Sequence, residues 1–154
     1  MGIRGEYTVA APSTMVWEAL LDPDVLVKCI PGCEELKLIG EDTYGATIVV
    51  GIGAIKGRYQ GKVRLSDMER LKEYRMSVEG GGRPGTVRGT SQMKLASTDS
   101  GTVVTVNASY QTTGLIASVG QRLLGVISKR MLDEFFKNLR KEIGKRGLHR
   151  NSKP

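Results

Sequence analysis

Six consecutive runs of alternating apolar and polar residues fill the middle of the chain and limit its fold more than any other feature. Only a few residues connect each run to the next. A parallel crossover needs about a dozen residues or more, so links this short force neighbouring runs to pair antiparallel. The pattern therefore predicts a six-stranded meander. The runs are Glu34 to Ile39, Thr43 to Ile52, Lys56 to Asp67, Glu73 to Glu79, Thr86 to Ser97 and Thr102 to Thr112.

The alternation also predicts which side of each strand faces the core. Tyr59, Val63 and Leu65 share one parity, and charged residues such as Lys62 and Arg64 take the other. The remaining runs alternate in the same way. The sheet should therefore have one face packed on a core and one face in water.

The segment before the meander predicts one more strand and two short helices. Ile3 to Val9 forms the strand, and Ser13 or Thr14 can cap a first helix. Asp22-Pro23 ends that helix, and Asp24 to Lys28 leaves room for one more helical turn.

The end of the chain predicts a single long helix from Leu115 to about Ile143. Its apolar residues recur every three or four positions. A helix of this length spans roughly 40 Å, enough to cross a seven-stranded curved sheet. The stripe consists of Ile116, Val119, Leu123, Ile127, Met131, Phe135, Leu139 and Ile143. The predicted fold is α+β: a curved antiparallel sheet wrapped around one C-terminal helix.

The chain has 154 residues and is 40 % hydrophobic, the size of one domain with one core. We place this domain at residues 1–144 and expect residues 145–154 to be a basic, disordered tail.

Most of the formal charge of +7 lies after residue 136, where a single acid, Glu142, accompanies the basic residues. This end could contact an anionic membrane or an acidic partner, or only solubilise the protein. The candidate contact residues are Lys137, Arg140, Lys141, Lys145, Arg146 and Arg150.

Cys29 and Cys33 are the only cysteines, and they flank the turn signal Pro31-Gly32. Proline fixes φ and glycine accepts a positive φ, as a type II turn requires. The N-terminus has no apolar stretch of secretion-signal length, so we expect a cytoplasmic protein with reduced thiols. A disulfide across the short loop remains the alternative. A metal site is disfavoured because the only other soft ligand is His149, in the polar tail.

Catalysis and nucleic-acid binding are disfavoured for related reasons. His149 cannot be held beside a buried nucleophile, so no catalytic triad is available. The paired acids lie on predicted turns or on the outer face of the helix, where nothing would raise their pKa. Base stacking would need aromatic residues among the cations of the wet face, whereas Tyr59, Tyr74 and Tyr110 share the parity of the dry face.

A curved sheet around one helix favours an internal space, and ligand pockets are concave and mostly apolar. Met76, Met93 and Met131 would give such a space an adaptable wall, although ordinary core packing is the simpler explanation of each methionine. The predicted lining is Ile48, Tyr59, Val63, Met76, Met93, Val106, Tyr110, Ile116, Leu123, Ile127 and Met131.

Two stretches stand out as a family signature. They are Trp17 to Pro23 leading into Cys29-Ile30-Pro31-Gly32-Cys33-Glu34-Glu35-Leu36, and Gln121 to Leu124 followed by Met131 to Phe136. Together they resemble the CoxG family of carbon monoxide dehydrogenase subunits. This family belongs to the helix-grip superfamily, which includes pollen-allergen (Bet v 1-like) and lipid-transfer START domains. The similarity covers roughly residues 3 to 143.

The resemblance implies a helix-grip fold with an apolar cavity and a non-catalytic accessory role. It implies assistance to a carbon monoxide dehydrogenase-type molybdenum hydroxylase in reaching the membrane or passing electrons to quinone. It also implies a quinone or another lipid as the guest, with no covalently bound cofactor, and peripheral contact with the cytoplasmic membrane. Two alternatives stay open: a cyclase- or hydrolase-like enzyme of the same superfamily, and a protein-protein adaptor with a filled core.

Overall fold

A computed structural model describes the backbone of residues 2–151 and the side chains of residues 2–146. It contains the predicted seven strands, two short helices after the first strand, and a long C-terminal helix. The predicted α+β fold is confirmed. The elements are β1 (Gly2–Val9), α1 (Ser13–Leu20), α2 (Pro23–Cys29), β2 (Cys33–Gly40), β3 (Thr43–Val50), a 3₁₀ helix (Gly53–Ile55), β4 (Gly57–Glu69), β5 (Glu73–Gly82), β6 (Gly85–Thr98), β7 (Gly101–Thr112), α3 (Gly114–Ser118) and α4 (Gln121–Asn151).

The seven strands form one antiparallel sheet in the order β1-β7-β6-β5-β4-β3-β2. The meander runs from β2 to β7, and β1 adds to its far edge by pairing with β7. Tyr74 and Leu65 are buried, while Arg64 and Arg75 are exposed. The predicted parity is therefore confirmed on both of these strands, and the dry face is the one that the C-terminal helix covers.

The start of α1 differs from the prediction. Pro12 occupies the N-cap, and no side chain caps this helix. The Ser13 hydroxyl instead lies 2.6 Å from the Ser97 hydroxyl and 3.1 Å from that of Thr102. Ser13 is therefore used to join α1 to the ends of β6 and β7, and this alternative partner is why the predicted cap does not form.

The C-terminal helical segment is broken near its start, so the prediction of a single helix from Leu115 was wrong. Gly120 has a φ of +90°, a left-handed conformation that ends helices and that glycine adopts without strain. The short helix α3 precedes this break, and α4 follows it.

The last helix also continues past residue 144, where we had placed the end of the domain. It extends to Asn151, and the division of the chain into a domain and a basic tail stays a prediction. Two ion pairs favour the continuation, with Lys145 3.1 Å from Glu142 and Arg146 2.6 Å from Asp22. Residues 152–154 lie outside the described part of the chain.

A solid core fills one end of the space between sheet and helix. Phe136 and Leu139 of α4 are fully buried there, together with Val16 of α1. The Phe136 ring stacks on Tyr7 of β1, with 4.1 Å between the ring centroids. At this end α1 and α2 fill the gap that the curvature of the sheet leaves beneath α4.

Candidate ligand-binding site

A hollow lies between the concave face of the sheet and α4. It consists of two cavities of about 410 Å³ and 390 Å³. Because the two cavities share seven lining residues, they are adjoining lobes of one hollow. The shared wall consists of Val63, Val78, Ser91, Ala108, Tyr110, Ser128 and Met131.

The first lobe lies toward the solid core, and the second lies toward α3. Leu26 and Ile30 close the first lobe from the α2 side. Ile55, Ile116 and Leu124 close the second lobe and belong to a separate small apolar cluster. The 3₁₀ helix, α3 and the start of α4 thus form the end wall of the hollow.

The hollow exists because several inward-facing positions of the sheet carry little or no side chain. Ala46 of β3 pairs with Gly61 of β4, which pairs with Gly80 of β5. On the neighbouring strands, Ser91 pairs with Ala108. Side chains this short leave the space beneath α4 unfilled.

Three residues of the wall shared by both lobes carry a hydroxyl group, and two of these hydroxyls have partners. The Ser128 hydroxyl donates to the Leu124 carbonyl at 2.7 Å and lies 2.8 Å from the Tyr110 hydroxyl. Since the single Ser128 proton is used on the helix carbonyl, Tyr110 is the donor in the second bond. This bond joins β7 to α4 across the junction of the two lobes.

The third hydroxyl is that of Ser91, and it has no hydrogen-bond partner among the described residues although its Oγ is buried. Ser91 lies in the wall that both lobes share. A buried polar group without a partner costs about 1–3 kcal/mol, so a ligand oxygen that paired with it would recover that energy. The sequence analysis missed Ser91 because it sought apolar lining residues. The sequence did offer a signal for it: Ser91 alternates with Gly89 and Met93 along the strand, so its side chain faces the same inward side.

Ten of the eleven predicted lining residues lie in the walls of the hollow. Three of them line only the first lobe: Met76, Met93 and Val106. Four line only the second lobe: Ile48, Tyr59, Ile116 and Ile127. Three line both lobes: Val63, Tyr110 and Met131. Ligand binding by these residues stays a prediction.

Leu123 was placed in the lining wrongly. Its side chain is 48 % exposed, and the neighbouring Leu124 is buried against the second lobe. Ile127 and Met131, counted in the same stripe, lie in the wall, so the error is confined to this position. Leu123 and Leu124 lie four and three residues before Ile127, both spacings of one helix face, and it is Leu124 that faces inward.

The Cys29–Cys33 segment is a corner beside the first lobe. Gly32 has a φ of +74°, and the Cys33 N–H donates to the Ile30 carbonyl at 3.1 Å, as in the predicted turn. Ile30 and Pro31 line the lobe, whereas the thiols point elsewhere. Burial raises the pKa of the Cys29 thiol to about 11, which disfavours its reactive thiolate form.

The lining offers little catalytic chemistry. Glu79 is the only carboxylate residue in either wall among the described residues, and its side chain is on the outer face, 3.6 Å from Arg88. Burial raises the pKa of the Tyr59 hydroxyl, which donates to the Ile55 carbonyl at 2.6 Å. Within residues 2–146, no group of three potential metal ligands comes together.

Two larger depressions, of about 890 Å³ and 600 Å³, lie along the sheet and are edged by outward-facing polar side chains. Lys37, Thr47 and Gln111 contribute to the first, and Arg64 and Ser77 to the second. Ligand sites are concave and mostly apolar, so the hollow under α4, with its apolar walls, is the better candidate although each depression is larger than either of its lobes.

Of the predicted basic contact residues, some bind other groups of the protein and others are exposed to solvent. Arg140 donates from Nε to the Thr8 carbonyl at 3.0 Å, and Lys145 and Arg146 have the acidic partners described above. Lys137 and Lys141 are exposed. The side chain of Arg150 lies outside the described residues. No helix among the described residues has the length and apolar character needed to cross a bilayer.

The family model for CoxG, the carbon monoxide dehydrogenase subunit of that name, matches residues 5–144. The chain belongs to this family. The family is that of an accessory subunit of carbon monoxide dehydrogenase, which suggests a non-catalytic protein for this chain as well. A comparison with curated proteins gives no match.

Solved structures support the same fold. The crystal structure of a conserved protein from Geobacillus kaustophilus is 37 % identical with a TM-score of 0.91, over 94 % of this chain and 96 % of that one. The allergen Ara h 8.0201 is 15 % identical with a TM-score of 0.70, over 94 % and 98 %. A protein of unknown function from Staphylococcus aureus, SA2116, is 11 % identical with a TM-score of 0.72, over 96 % of both chains. The CoxG chain thus has a Bet v 1-like helix-grip fold.

Proposed function

We propose that this chain is a non-catalytic accessory protein that binds an apolar ligand, a quinone or another lipid, in the hollow under α4. In this role it assists the membrane recruitment or electron transfer of a carbon monoxide dehydrogenase-type molybdenum hydroxylase. It acts in the cytoplasm and at the inner surface of the cytoplasmic membrane. Membership of the CoxG family supports the accessory role.

The observation that carries the ligand proposal is an apolar hollow that holds one unpaired hydroxyl. The volumes of its lobes fall in the range of small-molecule pockets, roughly 300–1,000 Å³. Apolar side chains such as Val63, Val78 and Met131 surround the junction of the lobes. A pure hydrocarbon would leave the Ser91 hydroxyl unpaired, whereas a ligand with a carbonyl oxygen at the junction would accept a hydrogen bond from it. A quinone ring with a short apolar tail meets both requirements.

Calorimetric titration with a menaquinone analogue bearing a short prenyl tail tests this function. Wild-type protein should show saturable binding at one ligand per chain. Ala108→Leu should weaken it at least about tenfold, because the larger side chain occupies the junction of the lobes. Asn107→Leu is the matched control, since the neighbouring Asn107 is exposed and outside the lining. No saturable binding by the wild type, or equal binding by Ala108→Leu, would remove the proposal.

Ser91→Ala tests the polar part of the interaction. It should weaken binding of the quinone by about five- to tenfold and leave binding of the corresponding naphthalene hydrocarbon unchanged. If both ligands lose affinity equally, Ser91 only shapes the wall.

A further inference from the structure

The outer side of the end wall exposes large apolar side chains to water. Leu115 of α3 is 56 % exposed, and Leu123 and Val126 of α4 are 48 % and 62 % exposed. Ile52, just before the 3₁₀ helix, is 42 % exposed. We call these four residues the end face. Each of the three helical members is next in sequence to a wall residue of the second lobe, namely Ile116, Leu124 or Ile127.

Contacts between backbone segments bring the elements of the end face together. The Pro84 carbonyl, at the tip of the β5–β6 hairpin, accepts the N–H of Ile116 at 3.1 Å. The Pro84 ring packs beside Gly57, which follows the 3₁₀ helix. Ile55 and Ile116 belong to one buried cluster with Leu124. The hairpin tip, the 3₁₀ helix and α3 therefore form one end of the molecule.

The charges on these segments all have one sign. No acidic residue occurs in residues 43–66, 80–98 or 100–132, which include the 3₁₀ helix, the hairpin tip, α3 and the start of α4. Lys56, Arg83 and Arg122 lie in these segments, and none of them has an acidic partner within residues 2–146. Exposed apolar side chains among unpaired cations, with no acid in the same segments, are what a protein needs to bind an anionic bilayer surface.

We propose that the end face docks on an anionic membrane surface, with Leu115, Leu123 and Val126 inserted among the acyl chains and Lys56, Arg83 and Arg122 near the lipid phosphates. In this orientation the second lobe of the hollow is separated from the bilayer only by the end wall. This surface is distinct from the basic end of α4. Arg146 is 24 residues along the helix from Arg122, about 36 Å at 1.5 Å per residue, and its guanidinium is already paired with Asp22.

Co-sedimentation of the full chain with vesicles tests the proposal. The vesicles contain phosphatidylcholine with about one quarter phosphatidylglycerol, and vesicles of phosphatidylcholine alone serve for comparison. The wild type should bind the anionic vesicles and lose affinity as salt rises. Leu115→Ser combined with Leu123→Ser should weaken binding at least about tenfold, and Arg122→Gln combined with Lys56→Gln should weaken it and flatten the salt dependence.

Lys137→Gln combined with Lys141→Gln is the matched control, because both lysines are exposed and lie farther along α4, away from Arg122. This control should bind vesicles like the wild type. The proposal is overturned if the control loses binding while the end-face variants keep it. It is overturned equally if the wild type does not bind vesicles, or if the end-face substitutions only abolish self-association. All substituted residues are exposed, so unchanged thermal unfolding can verify that each variant folds.

This test does not depend on the proposed ligand. Vesicle binding is measured without quinone, and Ala108→Leu should bind vesicles normally while failing to bind the ligand. The inference rests on the membrane role in the proposed function, and the outcomes separate the two. If the wild type binds vesicles and the end-face variants bind equally well, only the docking surface fails. If the wild type does not bind vesicles, the membrane role fails as well, and the ligand proposal stays intact.

Discussion

The two ends of the space beneath α4 are built from the same sheet and the same helix, yet one end is solid and the other is hollow. At the solid end, Phe136 and Leu139 meet large inward side chains such as Tyr7 and Val104. At the hollow end, α4 faces short side chains of the sheet, among them Ala46 and Ala108. The difference shows that in this chain the size of the inward residues on the sheet decides where space is left beneath the helix and where the core is solid.

Phe136→Ala should cause the largest loss of stability. Phe136 is fully buried and stacked on Tyr7, so its removal leaves a cavity and should cost about 3–5 kcal/mol of the free energy of unfolding. Leu123→Ala on the same helix is the control and should change stability by less than about 0.5 kcal/mol, because Leu123 is half-exposed. Urea unfolding measures both. Similar losses for the two variants would show that the solid end is not the stabilising one.

Gly32→Ala and Gly53→Ala compare the backbone at the corner beside the first lobe with the backbone at the end wall of the second lobe. Both glycines have a positive φ, +74° and +45°. A Cβ on Gly32 would lie 2.1 Å from the Val49 carbonyl oxygen, whereas a Cβ on Gly53 would meet no atom within 4 Å. Gly53→Ala should therefore cost only the left-handed strain, about 1 kcal/mol, and Gly32→Ala clearly more. Thermal unfolding of the pair gives the order, and equal losses would contradict it.

Ser91→Ala should stabilise the ligand-free protein slightly, by up to about 1 kcal/mol, because it removes a buried hydroxyl without a partner. Ser77→Ala, on the exposed face of the neighbouring strand β5, should change stability very little. Urea unfolding of the two variants without ligand measures the difference. A clear loss of stability for Ser91→Ala would mean that its hydroxyl is already paired, for example with water.

The smallest expected effect is a loss of stability in acid, through the ion pair between Asp22, at the start of α2, and Arg146 of α4. Burial of Asp22 favours its neutral form, but hydrogen bonds from Arg146 and from the Asp24 N–H outweigh this and lower the pKa of Asp22. A lowered pKa stabilises the fold above the ordinary carboxyl range, about pH 4, and this contribution disappears as pH falls through the folded value. Both side chains are partly exposed, so the effect should be below about 1 kcal/mol.

Asp22→Asn keeps an oxygen for the Asp24 N–H and removes the charge. Its stability between pH 6 and about pH 3 should therefore fall less steeply than that of the wild type. Urea midpoints across this range measure the slopes. Identical slopes would show that Arg146 does not stabilise the ionised carboxylate.

The sequence predicted the sheet well because a period of two residues and short links leave little freedom. The inward positions of Tyr59, Val63 and Met93 followed from parity alone. The helix was harder, because Gly120 lies inside an apolar pattern that continues on both sides of it. Its positive φ ends α3 there. Leu123 and Leu124 are both at helical spacing from Ile127, so the pattern alone did not decide which of the two faces inward.

The hollow was predicted as a consequence of the fold, but its polar group was not. Ser91 carries no apolar signal, and whether its hydroxyl finds a partner depends on which groups the fold brings near it. Likewise, the charge pattern at the C-terminus suggested free cations, whereas Arg140 and Arg146 bind groups on β1 and at the start of α2. Partners distant in sequence are set by packing, so residue type and spacing did not reveal them.

Native mass spectrometry of the protein purified from cells tests the central claim most directly. The account predicts that wild-type protein carries one apolar, oxygen-containing guest per chain, released by organic extraction, and that Ala108→Leu carries none while Asn107→Leu carries it as the wild type does. A guest retained equally by Ala108→Leu, or a wild-type chain that emerges empty and stays empty after exposure to the menaquinone analogue, would contradict it.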